Sequence, residues 1–156
     1  MFIVSSPFYE IASRIEKGRE IDQTMANSRI QPLLMFQGKA EEAMNFYVSL
    51  FPDAEVRDVA RYGPKESGVE GSIKKASFSF GSQSVIFIDS AVKHDFSFTP
   101  AFSFFVDFES EDDIDRLYSE LSAGGTVFMP IGNHGFSCKF AWLNDRFGVS
   151  WQLNLA

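Results

Sequence analysis

The chain has 156 residues and a formal net charge of −7, and 45% of its residues are hydrophobic. This length suits one domain, or two small repeats that share a core. The acidic balance and the scattered basic residues argue against nucleic acid or an anionic membrane as a partner, because binders of phosphates cluster Lys and Arg. No apolar run reaches the roughly 18 to 20 residues that cross a bilayer.

The first 29 residues are predicted to form an arm with one short helix. Phe8, Ile11 and Ile15 recur at helical spacing, and Gly18 follows as a helix end. This stretch has neither a basic start nor a small-residue cleavage site, so no secretory signal is predicted. The single cysteine, Cys138, excludes an intramolecular disulfide framework. We therefore expect a cytoplasmic protein.

A regular pattern of elements begins at residue 30. Alternating apolar residues predict strands, and apolar residues at helical spacing predict one helix after the first strand. Pro52 and Asp53 end that helix. The predicted order is strand, helix and three strands, over residues 30–36, 39–51, 55–62, 72–80 and 84–89. A linker, 90–100, follows.

The same order returns in the second half of the chain. A strand over 101–108 leads to Ser110, which is predicted to cap a helix in a capping box with Asp113. Gly124 and Gly125 are predicted to end that helix, since glycine accepts positive φ. The last three strands are predicted over residues 126–129, 139–143 and 150–155.

The two halves are predicted to be copies of one βαβββ module within a single domain, 30–156. Setting Tyr47 against Tyr118 gives an offset of 71, which places Pro32 on Ser103. A chain that repeats one supersecondary unit is expected to complete one core with both copies. Module one is assigned to 30–89 and module two to 101–156. The 18 phenylalanines lie in alternating clusters and predict a sheet with an aromatic face.

Six segments carry a resemblance to a known family, and the match extends over about residues 30–156. These are PLLMF at 32–36, AEEAMNFY at 40–47, RYG at 61–63, FTPA at 98–101, LSAGG at 121–125 and DRFGVSWQ at 145–152. The chain resembles the PhnB-like branch of the vicinal-oxygen-chelate superfamily, often labelled 3-demethylubiquinone-9 3-methyltransferase domains. The resemblance implies an α+β fold in which two βαβββ modules form an eight-stranded, cup-like mixed sheet. It also implies a homodimer.

The metalloenzymes of this superfamily hold a divalent ion with His and Glu side chains on the first and last strands of the modules. The resemblance places these positions on Pro32, on Ser103 or Ala101, on Gln152 and near Phe87. None is a histidine, and Gln152 is a neutral amide. At most two weak ligands remain, whereas a catalytic site needs three or more nitrogen and oxygen donors. We expect neither a metal nor another cofactor.

The leading hypothesis is a homodimer that binds a small organic ligand in the aromatic cup without a metal. Arg61 could bind an anion through its guanidinium, although an ordinary salt bridge at a strand end is the competing interpretation. The predicted ligand-binding residues are Gln152, Ser103, Arg61, Tyr62, His134 and Trp142. The alternative is a lyase or isomerase, either with a metal or with Arg61 and His134 in a metal-free reaction. A third possibility is a cup filled by its own phenylalanines.

Overall fold

A computed structural model describes residues 29–156. The helix predicted between Phe8 and Gly18 lies outside these residues. The elements, in chain order, are β1 (Leu33–Phe36), α1 (Ala40–Leu50), β2 (Glu55–Arg61), β3 (Ile73–Phe80), β4 (Gln83–Asp89), β5 (Ser103–Phe108), α2 (Glu111–Ser122), β6 (Thr126–Gly132), β7 (Lys139–Asn144) and β8 (Ser150–Leu155).

The eight strands form two four-stranded mixed sheets, one from each half of the chain. Their orders are β1-β4-β3-β2 and β5-β8-β7-β6. The first strand of each sheet pairs in parallel with the last, and the remaining pairs are antiparallel. Each helix packs on the sheet of its own half. The predicted repeat of strand, helix and three strands is therefore confirmed.

The two halves share one hydrophobic core. Trp151 on β8 is fully buried, and its ring lies 5.4 Å from that of Tyr47 and 5.9 Å from that of Phe51. The rings of Phe80 on β3 and Phe104 on β5 are 5.4 Å apart. These aromatic contacts join the helix and the sheet of the first half to the sheet of the second.

The structure differs from the prediction at the start of α2 and at the end of β6, and β1 and β5 begin later than predicted, at Leu33 and Ser103. Ser110 precedes α2 with an extended backbone, but its side chain makes no capping hydrogen bond, so the predicted capping box is not formed. Three acidic residues occupy the first turn instead, where they complement the positive end of the helix dipole. Strand β6 continues through Pro130 to Gly132; it is an edge strand, where proline is tolerated.

The predicted offset of 71 holds between the helices but not between the first strands. It pairs Ala43 with Ile114, and both are fully buried. In the strands it would pair Leu33, which is 52% exposed, with the buried Phe104. Three residues, 37–39, join β1 to α1, whereas two residues, 109–110, join β5 to α2. One extra residue exchanges the two faces of a strand.

This shift separates Pro32 from Ser103. Pro32 lies two residues before the buried Leu34, in the row that faces the core. Ser103 lies two residues before the exposed Phe105, in the opposite row. The predicted equivalence of Pro32 and Ser103 is therefore wrong.

Candidate functional site

The face of the second sheet that points away from the core, here called the open face, holds most of the predicted site. Trp151 and Leu153 are fully buried, so Gln152 between them points to the opposite side of β8. Trp142 on β7 is paired directly with Gln152. Ser103 on β5 contacts Gln152 through a hydrogen bond.

Two serines connect these side chains in a hydrogen-bond network. Gln152 Nε2 donates to Ser103 Oγ at 3.3 Å, and Trp142 Nε1 donates to Ser150 Oγ at 3.1 Å. The two serine hydroxyls are 2.8 Å apart. Since each hydroxyl accepts one of these bonds, its proton can be donated to the oxygen of the other hydroxyl. The Ser103 hydroxyl can instead donate to the Pro100 carbonyl, 3.4 Å from Ser103 Oγ. The sequence contained no signal for Ser150, because only the β5–β8 pairing places it beside Ser103.

The same network leaves an acceptor on the open face. Gln152 Oε1 receives no hydrogen bond from the part of the chain that the structure describes. An amide oxygen fixed through its own nitrogen is a suitable partner for a ligand N–H or O–H. The geometry therefore offers one oriented acceptor among aromatic side chains.

His134 lies at the edge of this face. Its Nε2 is 2.9 Å from the Pro130 carbonyl, which can only accept, so Nε2 carries the proton. In the neutral ring Nδ1 is then an acceptor. The ring is 6.2 Å from Phe136 and 6.3 Å from Phe140, which itself contacts Phe105.

Arg61 and Tyr62 belong to the first half of the chain, and their contacts lie there. Arg61 donates to both carboxylate oxygens of Glu41, at 2.8 and 2.6 Å, and to the Gly71 carbonyl. Hydrogen bonding from Arg61 lowers the pKa of the Glu41 carboxyl. Tyr62 donates to the Asp89 carbonyl at 3.3 Å. Arg61 thus forms the strand-end salt bridge that was the competing interpretation, and the structure does not join it to the network at Gln152.

Aromatic side chains around the open face are strongly exposed. Phe105 is 56% exposed, Phe128 is 41% exposed and Phe136 is 63% exposed. Phe128 packs against Trp142 at 5.2 Å. Residues 29–156 of one chain leave this apolar surface uncovered.

A second concave region was not predicted as a site. A cavity of about 560 Å³ lies between β1 and the linker, and Met35, Phe98 and Arg146 are among its lining residues. The phenylalanines of the linker were visible in the sequence. Only folding brings them against the turn between β7 and β8, 48 residues beyond Phe98 at Arg146.

The open face does not fit the metal site of the superfamily. Ser103 supplies a hydroxyl and Gln152 a neutral amide, both weak ligands for a hard dication. Among residues 29–156, no three His, Cys, Asp or Glu side chains come together in a metal-binding geometry.

Within those residues, the helices are also too short or too polar to cross a membrane.

Comparison with known proteins identifies the family. The family model described as 3-demethylubiquinone-9 3-methyltransferase matches residues 28–154. A PhnB protein from Bacillus cereus, described as a candidate 3-demethylubiquinone-9 3-methyltransferase, is 49% identical with a TM-score of 0.80, covering 83% of this chain and 100% of that one. Protein PA1353 from Pseudomonas aeruginosa is 27% identical with a TM-score of 0.71, over 81% and 96% of the two chains.

More distant structures share the fold alone. A glyoxylase/bleomycin resistance protein/dioxygenase domain from Frankia is 15% identical with a TM-score of 0.56, covering 83% of this chain and 92% of that one. No curated protein matches the sequence. The chain belongs to the 3-demethylubiquinone-9 3-methyltransferase family, which includes the PhnB protein from Bacillus cereus.

Proposed function

We propose that the protein binds a small organic ligand on the open face of the second sheet, without a metal. The observation that carries this proposal is the network of Gln152, Ser103, Ser150 and Trp142 beside exposed aromatic rings. Binding sites for small molecules are mostly apolar and contain a few fixed polar groups. The ligand that fits best is flat and largely apolar, with one hydrogen-bond donor for Gln152 Oε1.

The same proposal includes a homodimer in which a second copy covers the open face. The support is the exposure of Phe105, Phe128 and Phe136, since large apolar patches on a soluble protein mark interaction sites. A cover over the face would exclude water from the ligand. The bond between Gln152 and its ligand would then be stronger than in an open, hydrated groove.

The test uses protein purified from cells without chelators or denaturants. Solvent extraction followed by mass spectrometry should release one organic compound, and a crystal structure should show it against Gln152. Light scattering should give twice the mass of the chain. Phe105→Asp should reduce both the mass and the bound compound, whereas Asp112→Asn, on the exposed first turn of α2, should change neither.

Two outcomes would contradict the proposal. One divalent ion per chain by metal analysis would contradict metal-free binding. An empty open face in protein that is fully dimeric would contradict ligand binding there. Turnover of oxygen-rich substrates such as a methylglyoxal–glutathione adduct, abolished by His134→Ala, would favour the lyase or isomerase.

The family description refers to a methyltransferase, but the topology offers little support for that activity. Methyl donors of the S-adenosylmethionine type are usually held at the carboxyl ends of a doubly wound parallel sheet. Each sheet here has one parallel strand pair, and its order follows βαβββ instead of βαβαβ. Ligand binding is therefore the function that the geometry supports best.

A further inference from the structure

We propose that the cavity between β1 and the linker, here called the linker cavity, is a second binding site that takes small aromatic carboxylates, with Arg146 as the contact for the anion. Its volume of about 560 Å³ is within the range of small-molecule pockets, roughly 300 to 1,000 Å³. No strand of the second sheet contributes to its lining. It is therefore distinct from the open face.

The walls of the linker cavity are aromatic and apolar. Phe36 at the end of β1 stands edge-on to Phe98 of the linker, with ring centroids 5.0 Å apart, and to Phe147, at 6.5 Å. Met35 on β1 lines the same space. Edge and face contacts of this kind suit a flat aromatic body.

The linker is held in place by its own contacts. The Ser90 backbone N–H donates to the Phe36 carbonyl at 2.8 Å, and the Ser90 hydroxyl is 2.8 Å from His94 Nε2. The His94 ring stacks on Phe96 at 4.7 Å. The cavity wall is thus built before any ligand arrives, which lowers the entropic cost of binding.

Arg146 is positioned by stacking and keeps its hydrogen-bond donors available. Its guanidinium carbon lies 3.9 Å from the centre of the Phe46 ring and 4.9 Å from that of Phe147. No carboxylate among residues 29–156 forms a salt bridge with it. A guanidinium with free donors binds a carboxylate with two parallel hydrogen bonds.

The other charges of the cavity leave a net positive balance. Glu42 lines the cavity, but Lys39 Nζ is 2.6 Å from its carboxylate, and this hydrogen bond lowers the pKa of Glu42. These two charges offset each other, so Arg146 provides the excess. An anion is therefore favoured over a neutral or cationic ligand of the same shape.

Methionine methyl resonances test this site and distinguish it from the open face. Met35 lines the linker cavity, whereas Met129 is paired with Trp142 on the second sheet. In full-length protein with 13C-labelled methionine methyls, 2-naphthoate should shift the Met35 signal and leave the Met129 signal in place. Met35→Leu assigns the signal.

Three comparisons measure the contribution of the anion contact. Arg146→Gln should weaken naphthoate binding at least about tenfold, the effect of losing a charge-assisted hydrogen bond. Arg57→Gln removes an exposed arginine outside the cavity and should leave the affinity unchanged. The neutral 2-naphthamide should bind the wild type more weakly than naphthoate.

A second variant tests the cavity without altering Arg146. Ser97 is exposed and lines the cavity, so Ser97→Trp should obstruct it and abolish the Met35 shift while the protein stays folded. An unshifted Met35 signal at millimolar naphthoate would overturn the proposal. Naphthoate affinity that is the same in the wild type, Arg146→Gln and Ser97→Trp would also overturn it. A shift of Met129 alone would place naphthoate on the open face instead.

Discussion

Asp145 accepts four hydrogen bonds, which connect the turn between β7 and β8 with α1 and with β8. One carboxylate oxygen accepts from the backbone N–H groups of Phe147 and Val149, at 2.8 and 3.1 Å. The other accepts from Tyr47 Oη at 2.6 Å and from Trp151 Nε1 at 2.9 Å. Burial raises the pKa of Asp145, and the four donors oppose that shift. A buried carboxylate is tolerated here because each of its two oxygens accepts two hydrogen bonds.

Tyr47 should make the stability of the protein sensitive to alkaline pH. Burial, and then the charge of Asp145, raise the pKa of Tyr47 well above its ordinary value. The native state therefore keeps a proton that the unfolded chain releases. The contribution of Tyr47 to the free energy of unfolding is fully present below the pKa of tyrosine in the unfolded chain, about 10. Above that pH the contribution falls by about 1.4 kcal/mol per pH unit.

Urea denaturation at pH 8 and pH 11 measures this effect in Tyr47→Phe. The free energy of unfolding of the variant should be roughly 2 kcal/mol lower than that of the wild type at pH 8, because one hydrogen bond to a buried carboxylate is lost. Its further loss towards pH 11 should be smaller than that of the wild type. Tyr118→Phe, which removes a half-buried phenol without touching Asp145, is the matched control. An equal alkaline loss in Tyr47→Phe and the wild type would refute the assignment.

At the scale of elements, two glycines decide how helix and strands are joined. Gly148 has φ +88° in the turn between β7 and β8, where its N–H donates to the Asp145 carbonyl at 2.9 Å. Gly125 follows α2, and a Cβ there would lie 2.2 Å from the Asn144 carbonyl oxygen. The first position needs backbone freedom, and the second needs the absence of a side chain.

Gly125→Ala should destabilise the protein by roughly 3 kcal/mol, because the added methyl meets backbone that cannot move aside cheaply. Thermal and urea unfolding measure the loss. Gly132→Ala is the control, since a Cβ at Gly132 meets no atom within 4 Å. Similar stabilities of the two variants would show that β7 moves to accommodate a side chain at residue 125.

At the scale of the whole molecule, Trp151 links the two halves and should make them unfold together. It is fully buried and contacts Tyr47 and Phe51 of the first half as well as Phe104 of the second. Trp151→Ala should lower the free energy of unfolding by roughly 3 to 5 kcal/mol. Because the core is shared, hydrogen exchange should accelerate by the same factor in β4 and β8.

Trp142→Ala is the control for this measurement, because it removes the same side chain from the open face of the same sheet. Trp142→Ala should lower the free energy of unfolding by less than Trp151→Ala, since Trp142 is only half-buried. Faster exchange confined to β8 in Trp151→Ala would show that the halves are independently stable.

The sequence by itself determined the order of elements and the clustering of part of the site. Alternation in the strands fixes which face each residue takes, so Gln152 could be placed opposite the buried Trp151. The family segments then identified the fold. The register of the strands could not be predicted in the same way. Local patterns do not show that the connection from β1 to α1 is one residue longer than that from β5 to α2, and a shift of one residue exchanges the two faces of a strand.

Tertiary structure alone decided the contacts between distant segments. Ser150 reached Ser103 through the parallel pairing of β5 with β8, and Arg61 bonded to Glu41 instead of facing a ligand. The linker cavity likewise requires the linker, β1 and the turn containing Arg146 to meet. Periodicity describes neighbours within one element. Contacts across 40 or more residues, such as that of Asp145 with Tyr47, depend on how the elements pack.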